Sequence, residues 1–240
     1  AIFVGSLLPA VLWGVAFANI VRGVPIEEVD GRLEYVGTFF DLLNPYALLG
    51  GLVTLTLFVT HGAIFIALKT DGEIRGNARA LAERVGLVAA GVAVAFLAWT
   101  YVEAPELPFA VLSVLAALFL VGALLANRVG REGYAFLGTA LTLATAVAAL
   151  FSHLYPNVIP SSIDEAFNLT IDNASSTEYT LTIMTWVAVV MPPIVLLYQG
   201  WTYWVFRRRL TVDDIPDPAD AIAADEKAKA FEAAERERTG

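Results

Sequence analysis

Six long apolar runs divide this 240-residue chain, and they limit its possible folds more than any other feature. They span residues 2–21, 46–68, 85–102, 107–126, 134–155 and 180–206. A helix needs about 20 apolar residues to cross the roughly 30 Å hydrocarbon core of a bilayer. The runs are continuously apolar rather than alternating, which favours helices over the strands of a membrane barrel. The sequence therefore predicts an all-α polytopic membrane protein with six transmembrane helices.

Composition agrees with this interpretation. Hydrophobic residues make up 58% of the chain and charged residues only 16%, against about 25% charged in a typical soluble domain. The chain has no cysteine, which excludes disulfides, thiolate metal sites and a catalytic thiol. It begins with Ala1 rather than Met, inside an apolar run that has no charged segment before it. This start is unlike a signal peptide, and we expect the chain to be truncated at its N-terminus.

The basic residues predict an orientation. Thirteen of the 15 lie on one side of the predicted bundle, and only Arg22 and Arg32 lie on the other. Lys and Arg concentrate in cytoplasmic loops, so the first side is predicted to be cytoplasmic. Residues 1–209 are then the membrane helix bundle, and residues 210–240 form a polar cytoplasmic tail. The other side carries 11 acids against those two bases, which indicates a solvated acidic face or, less simply, a surface that attracts cations.

Two polar residues inside the apolar runs are candidates for function. His61 lies about two turns from the predicted cytoplasmic end of its run, where an ionisable residue is a functional candidate. It is either a ligand or proton-relay residue, or a packed histidine bonded to a neighbouring helix. Asn19, near the opposite end of the first run, is expected to cap a turn or bond an adjacent helix. The second histidine, His153, lies at a different depth, so the pair cannot bind one haem iron. We predict no catalytic, cofactor-binding or metal-binding residue.

The last run contains a proline pair, Pro192 and Pro193. Proline has no amide hydrogen, so the carbonyls of Ala188 and Val189 lose their helical donors. In a bilayer such carbonyls must find other partners. We predict a kink near residues 188–193, with the freed carbonyls facing protein. A break of the kind seen in transporter helices is the alternative.

Three blocks of sequence carry a resemblance to a known family. They are GSLLPAVLWGVAFANIVRGVP at residues 5–25, FFDLLNPYALLGGLVTLTLFVTHGA at 39–63, and the PSS…MTWVAVVMPP segment within residues 159–204. In this order they resemble subunit II of cytochrome bd-type quinol oxidases. The resemblance implies a nine-helix subunit, of which this chain would hold the last six helices. Pro193 matches the proline of the family, Pro192 is additional, and the link at residues 103–108 is shorter than in many members.

The resemblance also implies a function. The family's subunit II is an accessory subunit that supports the assembly and stability of subunit I in a heterodimer, and a small third subunit can accompany the pair. Subunit I carries haems b558, b595 and d, oxidises quinol and reduces oxygen to water, so the active site is expected there. Such complexes lie in the plasma membrane of prokaryotes. The alternative for this chain is a secondary transporter or channel fragment.

Overall fold

A computed structural model describes residues 2–103 and 105–211 of the chain. Six helices account for most of these residues: α1 (Ile2–Arg22), α2 (Pro45–Lys69), α3 (Gly72–Glu103), α4 (Leu107–Arg128), α5 (Glu132–Leu154) and α6 (Glu178–Val205). Each is long and apolar enough to cross a membrane. The predicted all-α fold with six transmembrane helices is confirmed. The predicted tail, except for its first two residues, lies outside the described residues.

The third helix begins earlier than predicted. The prediction started this span at residue 85, whereas α3 starts at Gly72 and runs for 32 residues. At 1.5 Å per residue it is about 48 Å long, well beyond the thickness of a bilayer core. Its first three turns carry Arg75 and Arg79, which the sequence prediction left in a connection. These side chains bond to α4 and α5, and that bonding favours a helix over a solvated loop.

The helices pack mainly as sequence neighbours. α1 lies on α2, α2 on α3 and α4 on α5, and α2 also contacts α5. Small residues allow the close crossing of α1 and α2: a Cβ atom on Gly14 would collide with the carbonyl oxygen of Gly50 and with the hydroxyl of Thr54. One cluster of the core lies nearby and includes Tyr46 and Phe96, whose rings stack with centroids 4.8 Å apart.

Two small antiparallel sheets cover one end of the bundle, which we call the hairpin end. β1 (Ile26–Val29) pairs with β2 (Arg32–Tyr35), and β3 (Asn157–Ile159) pairs with β4 (Leu169–Thr170). Asp30 and Gly31 join the first pair with φ values of 52° and 77°, the positive angles of a tight hairpin turn. These strands were not predicted from the sequence, because the polar connections between the apolar runs resemble loops.

The opposite end of the bundle is called the arginine end. It holds the C-terminus of α2, the N-terminus of α3, the connection between α4 and α5, and residues 206–211. α6 reaches this end from the hairpin side. Every residue of α6 is exposed except Thr202, which is half-buried. The helix therefore stands largely uncovered by the other described helices.

Candidate functional site

An asparagine pair ties α1 to α2 at the hairpin end. Asn19 is only 6% exposed, and its Nδ2 donates to the carbonyl oxygens of Val15 and Leu42, both at 2.8 Å. Its Oδ1 accepts a hydrogen bond of 2.9 Å from Nδ2 of Asn44. Asn19 thus uses both of its amide hydrogens and its oxygen, as a buried amide must to avoid a large desolvation cost. Asn19 bonds an adjacent segment as well as its own helix.

The second asparagine starts α2. The Oδ1 of Asn44 accepts from the backbone N–H of Ala47 at 2.9 Å, the standard N-cap arrangement. Pro45 follows at the first helical position, where its missing N–H costs nothing. The first two sequence blocks are therefore joined by the hydrogen bond between the side chains of Asn19 and Asn44.

The third block joins the same place through the loop before α6. The N–H of Val24 donates to the carbonyl of Pro160 at 3.1 Å, and the N–H of Ser162 donates to the carbonyl of Val24 at 3.0 Å. The hydroxyl of Ser161 donates to the carbonyl of Ile26 at 2.8 Å. The three sequence blocks are far apart in the chain but form one hydrogen-bonded junction.

A polar cavity of about 400 Å³ opens at this junction. Its lining includes Asn19, Arg22, Asp41, Asn44 and Ser162. The backbone N–H and then the hydroxyl of Thr38 donate to Asp41 at 2.7 and 2.9 Å, and they lower the pKa of this carboxyl below its ordinary value. The cavity therefore has a carboxylate and a guanidinium in its wall.

His61 lies in the membrane part of α2 and bonds to α5. Its Nδ1 is 2.7 Å from the Oγ1 of Thr139, and this hydroxyl in turn donates to the carbonyl of Phe136 at 3.0 Å. The same hydroxyl is also 3.2 Å from the carbonyl oxygen of Ala135. The imidazole also stacks on the ring of Phe136, with centroids 4.5 Å apart. His61 therefore bonds a neighbouring helix and packs on Phe136, and a ligand or relay role for it stays a hypothesis.

The two histidines lie far apart. His153 is fourteen residues farther along α5 than Thr139, or about 21 Å at 1.5 Å per residue. Its Nδ1 is 3.5 Å from Oε1 of Glu106. A single iron cannot bind residues so separated. Among residues 2–103 and 105–211, the structure shows no group of three or more metal-ligating side chains suited to a metal ion.

α6 is continuous through Pro192 and Pro193. Residues 188–193 are all exposed in the described structure. Three inferences therefore stay predictions: a kink near residues 188–193, freed carbonyls that face protein, and a role of Pro193 in the common fold.

A buried ionic cluster lies at the arginine end and was not predicted from the sequence. Glu132, in the first turn of α5, has a side chain only 2% exposed. Arg75 donates to it through Nε and Nη2, both at 2.8 Å. Arg79 lies 3.7 Å away, and Nη2 of Arg209 bonds the other carboxylate oxygen at 3.2 Å. We call these four residues the arginine clasp.

The clasp also closes the end of α4. Arg79 donates to the backbone carbonyl of Asn127 at 2.8 and 3.1 Å, and to that of Arg128 at 3.0 Å. The last carbonyls of a helix have no intrahelical donor, and a cation there also complements the helix dipole. In return, Nδ2 of Asn127 donates to the carbonyl of Arg79 at 3.1 Å. The spacing of Arg75 and Arg79 by four residues, on one face of a helix, was the available sequence signal.

Residues 206–211, here called the foot, attach α6 to the clasp. Nζ of Lys69 donates to the carbonyl of Phe206 at 2.7 Å. The N–H of Leu210 donates to the carbonyl of Lys69 at 2.8 Å, and Leu210 also forms an isolated bridge with Thr70. With Arg209 in the clasp, the foot is bonded to α2 and α5.

Comparisons with known proteins identify the same family that the three sequence blocks resemble. The model of the family described as cytochrome bd terminal oxidase subunit II matches residues 1–206. The chain is 35% identical to cytochrome bd-I ubiquinol oxidase subunit 2 of Escherichia coli (strain K12), over 89% of this chain and 66% of that protein. It is also 35% identical to cytochrome bd ubiquinol oxidase subunit 2 of Bacillus subtilis (strain 168), over 88% of this chain and 63% of that protein. The chain thus spans a little under two thirds of the length of these relatives.

Proposed function

The chain belongs to the cytochrome bd terminal oxidase subunit II family, and from this membership we propose that it is the accessory subunit of a membrane-bound quinol oxidase. The complex would oxidise quinol and reduce oxygen to water. The observation that carries the proposal is the family match over residues 1–206, which includes the whole described helix bundle. The hairpin-end junction supports it, because its bonds join residues of all three family-like blocks.

The proposed partner is subunit I of the oxidase, in a heterodimer, with the haems and the reaction on that subunit. The positions of the two histidines in this chain support a haem site on the partner subunit. Nδ1 of His61 is engaged with Thr139, and His153 lies about 21 Å from that level along α5. These two histidines do not fit a shared haem. The contribution of this chain would be a rigid set of helices against which the haem-bearing subunit packs.

The proposed location is the plasma membrane of a prokaryote, with the arginine end in the cytoplasm. Nine basic and four acidic residues lie at the described arginine end, whereas two basic and eleven acidic residues lie at the hairpin end. This asymmetry follows the positive-inside pattern of membrane proteins. Since the chain has no cysteine, single cysteines placed at Arg32 and Arg131 would report the orientation through their reaction with an impermeant maleimide. Labelling of the Arg131 position in intact cells would contradict it.

Deletion of the gene in its host tests the proposed function. Membranes of the deletion strain should lose the haem d absorption band and quinol-dependent oxygen consumption, and an intact gene supplied in trans should restore both. A normal haem d band and full oxidase activity in the deletion strain would reject the proposal. The comparisons do not favour the transporter or channel alternative, which predicts substrate flux in liposomes without a haem-bearing partner.

A further inference from the structure

Basic side chains outnumber their acidic partners around the clasp. Arg75, Arg79 and Arg209 surround the one carboxylate of Glu132. The side chains of these arginines are 28%, 31% and 33% exposed, so they are neither fully buried nor fully solvated. Asp71 lies 3.7 Å from Arg75, and Lys69 adds a fourth positive charge at the foot. Four cations therefore face two carboxylates, and two positive charges lack an acidic counterpart in this group.

These charges lie at the border of the membrane-spanning helices. Lys69 is the last residue of α2 and Arg209 lies four residues after the end of α6. Tyr203 and Trp204 stand at the same level, where aromatic rings mark the boundary between lipid and water. Lys69 lies 5.8 Å from the centre of the Tyr203 ring, and Arg207 lies 4.8 Å from that of Trp204. A lipid phosphate resides at this depth in a bilayer.

An uncovered apolar surface leads away from the charges. Above its last turn α6 is exposed on all sides, with Val195, Leu196 and Leu197 among the residues concerned. A fatty acyl chain covers such a surface in a membrane. The same site therefore offers positive donors for a headgroup and apolar side chains for the tail of one molecule.

We propose that the surface where the foot of α6 meets the end of α2 binds one anionic phospholipid. Its phosphate would accept hydrogen bonds from Lys69 and Arg209, and its acyl chains would lie along α6. Both side chains have N–H donors beyond those used in the described contacts: the Lys69 ammonium has three and the Arg209 guanidinium five. Charge complementarity selects an anionic lipid over a zwitterionic one. This proposal stands on the geometry of the arginine end and does not depend on the oxidase assignment.

Native mass spectrometry of the purified protein, with any subunits that accompany it, tests the proposal. The protein is titrated in micelles with phosphatidylglycerol or phosphatidylcholine, and the bound lipid is counted. A basic residue near an anionic lipid contributes about fivefold in affinity. We therefore expect Lys69→Gln combined with Arg209→Gln to weaken phosphatidylglycerol binding about 25-fold. Equal binding of phosphatidylcholine by the unaltered protein would overturn the proposal.

Arg128→Gln is a control that removes one positive charge at the same end. Arg128 lies at the same end but is paired one-to-one with Glu83 at 2.8 Å, so its loss should change lipid affinity less than about twofold. A change of about fivefold or more, the full value of one basic residue, would mean that overall charge rather than this site governs binding. Disulfide-linked Thr70→Cys and Leu210→Cys hold the foot in place, so a loss of lipid in that background cannot come from its detachment.

Two further measurements test whether a soluble anion or residues 212–240 occupy the site instead. Millimolar inorganic phosphate should not displace the lipid, because it lacks the acyl chains; full displacement would identify a site for soluble anions and overturn the proposal. A chain ending at Thr211 should bind phosphatidylglycerol within about twofold of the full chain. A change of tenfold or more would show that residues 212–240 occupy or form the site, and would also overturn the proposal.

Discussion

Replacement of Glu132 by Gln tests whether the arginine clasp holds α6 to the bundle. The substitution keeps the shape of the side chain but removes the charge that three guanidinium groups share. The three guanidinium groups then repel one another, because the neutral amide accepts fewer hydrogen bonds than the carboxylate and does not neutralise their charge. We expect the foot to loosen first, because Arg209 is bonded to Glu132 from a segment that follows the least covered helix.

The size of the effect follows from the exposure of the partners. Removal of one member of a buried ion pair costs about 3–5 kcal/mol. Glu132 is buried, but the arginines are about a third exposed, and water screens part of their repulsion. We therefore expect Glu132→Gln to lower the free energy of unfolding by roughly 2–3 kcal/mol. Glu83→Gln, at the exposed pair with Arg128, should cost less than about 1 kcal/mol.

Two measurements check this prediction. Unfolding in mixed micelles of lipid and sodium dodecyl sulfate gives the free energies of the two variants. The yield of a disulfide between Thr70→Cys and Leu210→Cys reports whether the foot stays docked. The chain has no other cysteine, so any disulfide within it comes from this pair. Equal losses for Glu132→Gln and Glu83→Gln, with an unchanged disulfide yield, would refute the clasp as the attachment of α6.

Three other substitutions, two of them with a control variant, test the helix packing, the junction and the proline pair. Gly14→Ala should cost roughly 1–3 kcal/mol of unfolding free energy, because its new Cβ atom would collide with α2, whereas Gly122→Ala should be neutral because its Cβ atom would meet open space. Asn19→Ala removes three hydrogen bonds and should cost roughly 1–3 kcal/mol; an unchanged unfolding curve would contradict this. Pro193→Ala should reduce the haem d content of purified complexes, whereas Pro192→Ala should not, and equal effects of the two would contradict the distinction between them.

Apolar length was enough to predict the helices. Each span is a long run without charge, and a bilayer leaves a helix as the simplest way to satisfy its backbone. The start of α3 was not predictable by that rule, because residues such as Arg75 and Arg79 resemble a solvated connection in sequence. Only their pairing with Glu132 and with the end of α4 shows why these turns are helical.

The polar residues could likewise be predicted only in part from the sequence. Asn19 was identified as a candidate because an amide is conspicuous in an apolar run, and its bonds to a neighbouring segment are of the expected kind. Glu132 was not identified, since an acid at the end of a span is ordinary in sequence. Its burial depends on Arg75, 57 positions away, and on Arg209, 77 positions away. Such long-range pairing has no local signature.

Affinity purification through a tag on this chain tests the central claim most directly. The tagged chain, expressed from its own locus and extracted in mild detergent, should carry with it a haem-bearing membrane subunit in equal amount. The purified material should also consume oxygen when supplied with quinol. Recovery of the chain alone, while quinol oxidase activity and the haem d band remain in the unbound fraction, would contradict its assignment as an oxidase subunit.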